Sequence, residues 1–329
     1  MKLPDRLENL IEKEVDKYKI TVLKEYSQNL SNKYMGEKRT GKTLLNQEVE
    51  AVAYSVIRMP ATFGAIISSL NNILENNCDL KITSLLDIGA GTGAASWAVN
   101  EILDLESITC IEREKVMSNL GKRLMQSGND VLRKAKWIDK DIIRDNINEK
   151  ADLVVVSYMI NELKEEDRVG IIEKLLNFTN KVLLIIEPGT PEGFKNIKKI
   201  RNEAIKRNLN IIAPCTHCNE CELPEDDWCS SVVRVQRSKV HKILKSGDVP
   251  FEDEKFSYIA ISKIESNHAD VRILRHPIIQ NKMVRLKLCT ENGIHEVTVT
   301  KKYADIYKEV KKKNVGDSIN SIVKFIELD

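Results

Sequence analysis

The run Leu85-Leu86-Asp87-Ile88-Gly89-Ala90-Gly91-Thr92-Gly93 limits what this chain can become more than any other stretch. A short apolar segment that ends in alternating glycines and opens a helical pattern predicts a buried parallel strand turning tightly into a helix. The pattern then repeats. Strands are expected over 82–88, 107–112, 135–138, 151–157, 182–187, 210–213 and 256–262. Helices are expected over 94–103, 114–126, 165–178 and 194–207. Strands alternating with helices imply βαβ units and an α/β fold built on a mostly parallel, Rossmann-like sheet.

Residues 1–80 read differently. Leu7, Leu10, Ile11 and Val15 recur at helical spacing, and a second, more apolar helical stretch over 51–70 is interrupted at Pro60. Three parts are therefore expected: an N-terminal helical region (1–80), the sheet domain (81–265) and a small β-rich C-terminal domain (266–329). The tail is read from alternating runs near 271–274, 283–289 and 296–300 with an Asn292-Gly293 turn. Residues 214–250 break the strand–helix rhythm and read as an insertion rich in cysteine.

The 329 residues suffice for two or three units, and 42% hydrophobic with 30% charged residues suits a globular core. A net charge of +2 neither demands nor excludes a nucleic-acid partner. No apolar run reaches membrane-spanning length, so no membrane span is expected. Residues 1–13 are charged and lack the apolar centre of an export signal. Seven cysteines in such a chain point to a reducing, cytoplasmic setting in which disulfides are the weaker explanation.

In the glycine loop the spacing is G-x-G-x-G, whereas pyrophosphate-binding loops prefer G-x-G-x-x-G. Asp87, just before the glycines, suits a cationic or amino-bearing ligand. Glu112 closes the next strand, where a carboxylate can accept hydrogen bonds from two ribose hydroxyls. With these residues the stretch 81–265 resembles the class I S-adenosylmethionine-dependent methyltransferases. The resemblance implies that Asp87, Gly89, Gly91 and Gly93 lie beside the methionine part of the cofactor. It also implies that Glu112 binds ribose, that Asp141 or less readily Asp139 meets the adenine, and that the segment from Ser157 to Glu162 lines the reaction centre. No catalytic residue is assigned. The Asn/Asp-Pro-Pro-aromatic tetrad of amino methyltransferases is replaced by Ser157-Tyr158-Met159-Ile160. Pro214-Cys215 matches the nucleophile pair of cytosine enzymes only superficially, because it lies beyond the fifth strand inside a cysteine run.

That run is Cys215-Thr216-His217-Cys218-Asn219-Glu220-Cys221 with Trp228-Cys229 after it. Thiols this dense serve metal or cluster ligation better than core packing. Structural zinc sites usually pair two C-x2-C knuckles, which are absent here. A C-x2-C-x2-C run with a more distant cysteine is closer to iron–sulfur ligation, and spacing alone favours Cys215, Cys218, Cys221 and Cys229. The C-x3-C-x2-C of radical enzymes is absent. Cys78 and Cys110 read as small buried residues.

Further runs complete a second resemblance: Arg58-Met59-Pro60-Ala61-Thr62, Glu187-Pro188-Gly189-Thr190-Pro191, Pro214-Cys215-Thr216-His217, Trp228-Cys229, Gln236-Arg237 and Cys289. Together with the glycine loop they make residues 50–329 similar to the methyltransferase-like assembly factors of the mitochondrial small ribosomal subunit and their prokaryotic relatives. The resemblance implies a 4Fe–4S cluster held by Cys215, Cys221, Cys229 and Cys289, with Cys218 an extra thiol that could substitute. It implies the small ribosomal subunit and its rRNA as partners. A methyltransferase acting there and a non-catalytic assembly or translation factor with a structural cofactor pocket remain open, as does a zinc-containing small-molecule methyltransferase. Oligomeric state is unassigned.

Gly36-Glu37-Lys38-Arg39-Thr40-Gly41-Lys42-Thr43 satisfies the phosphate-loop pattern, but the polar stretch before it is no strand. Its basic residues suit RNA phosphates as well as a solvated loop. Other basic groups are Lys195, Lys198, Lys199 and Arg201, then Arg234, Arg237, Lys239 and Lys242, and Lys311 to Lys313. The stretch 234–242 is the one expected to touch RNA.

Overall fold

The computed structural model describes residues 1–36, 45–168 and 170–322. Apart from Gly36, the phosphate-loop pattern lies outside the described residues.

The elements run α1 (Asp5–Val15), α2 (Ile20–Gly36), α3 (Glu48–Ile57), α4 (Met59–Leu74), β1 (Ser84–Ile88), α5 (Ala94–Ile102), β2 (Ser107–Ile111), α6 (Lys115–Met125), α7 (Asp130–Arg133), β3 (Lys136–Ile138) and β4 (Ala151–Ser157). They continue α8 (Glu165–Arg168), α9 (Ile171–Phe178), β5 (Thr179–Pro188), α10 (Pro191–Lys206), β6 (Asn210–Ala213), β7 (Ser231–Gln236), α11 (Lys239–Leu244) and β8 (Phe251–Ser262). The last are β9 (Val271–Ile273), β10 (Ile278–Gln280), β11 (Met283–Thr290), β12 (Gly293–Thr300) and α12 (Ala304–Val310). The helix expected over 165–178 is two pieces, because Gly170 adopts φ +78° between them.

The chain divides into two compact units. The first comprises Met1–Ser68, Lys81–Lys181 and Val233–Glu254. Within it the strand order is β3-β2-β1-β4, all parallel. β1 sits between two neighbours, and Leu85, Leu86 and Ile88 of β1 with Leu153 to Val156 of β4 are at most 1% exposed. Such continuous apolar strands are what a sheet covered on both faces requires. α1, α2, α6 and α11 pack against α3, whose start carries a capping box between Gln47 and Glu50. Pro60 lies in the first turn of α4, where its missing N–H costs no helical bond. α3 and α4 meet there with a 47° bend. Among the described residues no single helix is long and apolar enough to cross a membrane; the bent α3–α4 pair passes by composition only, and most of its residues are buried.

The second unit comprises Ser69–Leu80, Val182–Val232 and Lys255–Asp329. In it β8 pairs antiparallel with both β5 and β6. A separate antiparallel sheet has the order β10-β11-β12, with β9 also on β11. β11 alternates strictly: Val284, Leu286 and Leu288 are buried in the core with Val297, Val299, Tyr307 and Val310. Arg285, Lys287 and Cys289 therefore fall on the other face. The segment 214–250, expected as an insertion, contains β7 and α11. Cys110 is fully buried as expected, but Cys78 is exposed.

Candidate cofactor cavity and thiol pocket

Gly89, Gly91 and Gly93 have φ of +67°, +56° and +85°. These left-handed conformations explain why three glycines, and not other residues, close β1. A Cβ on Gly89 would also stand 3.2 Å from the Met159 side chain. Asp87 is fully buried beneath the loop. Its Oδ2 accepts from the Ser96 backbone N–H at 3.1 Å and the Ser96 hydroxyl at 2.8 Å. Burial pushes its carboxyl up to about 6. Asp87 thus ties the end of β1 to the first turn of α5.

A cavity opens beside the loop. Gly89, Glu112, Asp141 and Ser157, all expected at a cofactor site, line it together with Tyr54, Glu114, Met117 and Met159. Asp87, Gly91 and Gly93, the other three expected residues, do not line it. Gly91 supports it from behind, its backbone N–H donating to Glu112 Oε2 at 2.8 Å. Glu112 Oε1 accepts from the Glu114 N–H at 2.8 Å. Each oxygen is thus held by backbone in a side chain that lines the cavity. Burial pushes Glu112 up to about 7. Asp141 accepts from the Ile143 N–H at 2.8 Å, and Arg113 stands 3.6 Å from its other oxygen. The cavity is edged by Glu112, Glu114, Asp141 and Glu162 against Arg113 and Lys140, a carboxylate excess that suits a ligand carrying positive charge and hydroxyls.

At the end of β4 sequence reasoning missed a cluster. Tyr158 is a non-glycine residue at φ +58°. Its hydroxyl donates to Glu254 Oε1 at 2.9 Å. Arg58 donates to both oxygens of the same carboxylate, at 3.2 and 3.4 Å, and its guanidinium lies 5.1 Å from the Tyr158 ring centre. Arg58 and Tyr158 stood in noted motifs; Glu254 gave no signal, since it is 96 positions from Tyr158.

In the second unit a pocket is lined by Cys215, Cys221, Cys229 and Cys289 with His217, Arg201 and Arg272. Cys218 is not among the lining residues; its sulfur faces the Ile211 N–H at 3.4 Å. Cys289 Sγ lies 3.5 Å from Thr216 Oγ1 and 3.9 Å from His217 Nε2. Cys215 Sγ accepts from Arg201 Nε at 3.3 Å. Burial first, then the neighbouring thiols, push Cys229 up; burial does the same to Cys215 and Cys289, against Arg201. All seven cysteines are free thiols. Among the described residues no three Cys, His, Asp or Glu side chains converge closely enough to hold one metal ion.

Two atoms test what the pocket suits. Arg201 Nη1 and Arg272 Nη2 are buried without a hydrogen-bond partner. Four thiols with two unsatisfied cationic donors fit an anionic, sulfur-bridged group.

The arginines expected to reach RNA are paired within the protein. Arg234 meets Asp253 at 2.7 and 2.9 Å and covers the Phe251 ring at 4.0 Å, and Arg237 meets Glu252 at 2.8 and 3.2 Å.

A family model described as mitochondrial small ribosomal subunit Rsm22 matches residues 48–320. The chain belongs to the Rsm22 family. The match takes in the glycine loop, Glu112 and all four pocket cysteines. The human ribosome assembly protein METTL17, mitochondrial, is 24% identical over 288 residues, which is 81% of this chain and 62% of METTL17. The chain thus spans under two thirds of that relative's length. Among solved structures, the magnesium protoporphyrin IX methyltransferase of Synechocystis PCC 6803 with bound S-adenosylmethionine is 11% identical, with a TM-score of 0.41, over 74% of this chain and 97% of that one. The N-methyltransferase NodS of Bradyrhizobium japonicum WM9 with S-adenosylhomocysteine is 12% identical, with a TM-score of 0.41, over 64% and 91%. This Rsm22-family chain has a mixed α/β fold with a mostly parallel sheet and a separate antiparallel sheet.

Proposed function

We propose that this chain is an S-adenosylmethionine-binding, 4Fe–4S-containing protein that serves assembly of the small ribosomal subunit, contacting its rRNA in a reducing, cytoplasmic setting. Family membership supports the ribosomal part. One observation carries the reading: three cysteines of one loop and Cys289 of a distant strand line one pocket that also holds two unsatisfied arginine donors.

Cys215, Cys221, Cys229 and Cys289 would hold the cluster, which supplies a redox-sensitive bond between the cysteine loop and β11 when bound. In the other cavity Glu112 would accept the ribose hydroxyls and Asp141 would face the adenine. Asp87 keeps the glycine loop in place for the methionine part. The cofactor supplies a transferable methyl group when bound. Exposed Lys195 on α10, with Lys311 and Lys312, replaces Arg234 and Arg237 as the side chains offered to RNA phosphates.

The non-catalytic form of the reading is favoured over methyl transfer. Tyr158 stands where amino methyltransferases carry their acceptor-binding tetrad, and its hydroxyl is already engaged by Glu254.

Anaerobic purification with iron, sulfide and zinc analysis, then equilibrium binding of S-adenosylmethionine and a methyl-transfer assay on small-subunit particles, tests the whole. About four irons with sulfide, cofactor binding and no transferred methyl group are expected. One zinc without sulfide would remove the cluster, absence of binding would remove the cofactor, and methyl transfer would make the protein an enzyme.

A further inference from the structure

We propose that Arg201 and Arg272 are the counter-charges of the thiol pocket, donating through their unsatisfied guanidinium N–H groups to the sulfur atoms of an anionic cluster and easing its reduction. This rests on the pocket being a cluster site, as argued above.

The argument begins with charge. Arg201 and Arg272 are 3% and 2% exposed. A guanidinium does not shed its proton, so both are buried as full cations. Buried cations require an opposite charge, yet among the described residues neither arginine forms an ion pair with a carboxylate. Their hydrogen bonds run elsewhere. Arg201 donates to the His217 carbonyl at 3.1 Å, the Asn219 carbonyl at 2.5 Å and Cys215 Sγ at 3.3 Å. Arg272 donates to the Pro214 carbonyl at 2.9 Å, to Asn72 Oδ1 at 2.8 Å and to the Gly316 carbonyl. The thiols beside them, Cys215, Cys221, Cys229 and Cys289, line the same pocket. The anion these cations lack belongs in the pocket they line.

The two approach it from different elements. Arg201 comes from α10 and grips the loop carrying Cys215 and Cys221. Arg272 comes from β9, where it is the register partner of Cys289 on β11. In each, the backbone bonds fix the guanidinium and leave one nitrogen without a partner, Nη1 of Arg201 and Nη2 of Arg272. An oxidised 4Fe–4S core with four thiolates carries two negative charges, which the two guanidiniums balance. One-electron reduction adds a third, and hydrogen bonds to cluster sulfurs favour that state.

The test uses the full chain, reconstituted anaerobically with iron and sulfide, and reads the midpoint potential by paramagnetic resonance during dithionite titration. Arg201→Met should move the midpoint to more negative values, with Arg201→Lys between it and wild type. Arg272→Lys should move it the same way. The iron–sulfur stretching bands should shift on transfer to deuterated water in wild type and lose part of that shift in Arg201→Met. Arginines that merely tie carbonyls together would lower thermal stability and leave the potential where it was. An unchanged midpoint in fully loaded Arg201→Met overturns the proposal, and the Arg201 pair decides if the Arg272 variant does not fold. A wild-type chain that binds zinc and no sulfide overturns the cluster reading itself and this proposal with it, a failure visible before any variant is made.

Discussion

Glu254 accepts the hydroxyl of Tyr158 at 2.9 Å while holding Arg58 through both of its oxygens. The carboxylate belongs to β8 and the phenol to the turn after β4, so three distant pieces of chain meet at one charge. The contact fixes Tyr158 in its left-handed backbone conformation. Tyr158→Phe removes a hydrogen bond to an ionised acceptor and should destabilise the protein by about 1–3 kcal/mol. Thermal unfolding reads this. Unaltered stability would show that Arg58 alone satisfies Glu254.

Glu112 lines the cavity with both oxygens already positioned by backbone N–H groups. Glu112→Gln should cost some stability but keep the fold, because its amide oxygen can still accept from Gly91 while its NH2 cannot accept from the Glu114 N–H. It should weaken S-adenosylmethionine binding by about tenfold or more, the equivalent of losing charge-assisted bonds to ribose. Equilibrium dialysis at matched ionic strength measures it, and wild-type affinity in the variant would place the ribose elsewhere.

Burial raises Glu112 to about 7 and Asp87 to about 6. The folded chain therefore holds these protons more tightly than the unfolded chain. Their contribution to stability is full below the ordinary carboxylate range and is lost as pH rises through about 6 for Asp87 and about 7 for Glu112. Ligand-free protein should accordingly lose stability across that window in denaturant titrations, by about 3 kcal/mol per group. Cofactor affinity should move oppositely. Only ionised Glu112 accepts from two hydroxyls, so binding should tighten from about pH 6 to about pH 8. Calorimetric titration across this range would expose a flat profile, which contradicts the assignment.

Cys218 and Cys289 separate cleanly by substitution. Cys218→Ser should keep its iron and sulfide, since that sulfur faces the Ile211 N–H and lies off the pocket wall. Cys289→Ser should lose most of both. Elemental analysis of the two purified variants decides, and the reverse pattern would show that the loop turns over when loaded.

The central strands were readable because a strand buried on both faces needs an unbroken apolar run, as 182–187 and 151–157 provide. The glycine loop was readable because three left-handed positions within five residues admit little else. The cluster at Tyr158 was not, since its third member, Glu254, looks like any charged residue on a strand. The partner of Asp87 was hidden for a related reason. An acidic residue before a glycine loop looks the same whether it faces the ligand or, as here, the Ser96 hydroxyl behind it. Arg234 and Arg237 resembled a phosphate-binding patch because Asp253 and Glu252, which neutralise them, follow after the turn. Spacing alone favoured Cys218 because local counting cannot see Cys289, which β11 brings to the pocket through its alternation. Arg201 read as one more lysine-like charge on a basic helix, while the packing makes it a buried cation.

Cys289 follows the other three pocket cysteines by a long stretch of chain, on a strand of the C-terminal sheet. During synthesis the loop with Cys215, Cys221 and Cys229 leaves the ribosome well before β11 exists. A loading system that acted early would meet three thiols and an open side. Completion of the pocket therefore waits until the tail has been made and folded, and the order of translation is written into the order of its thiols.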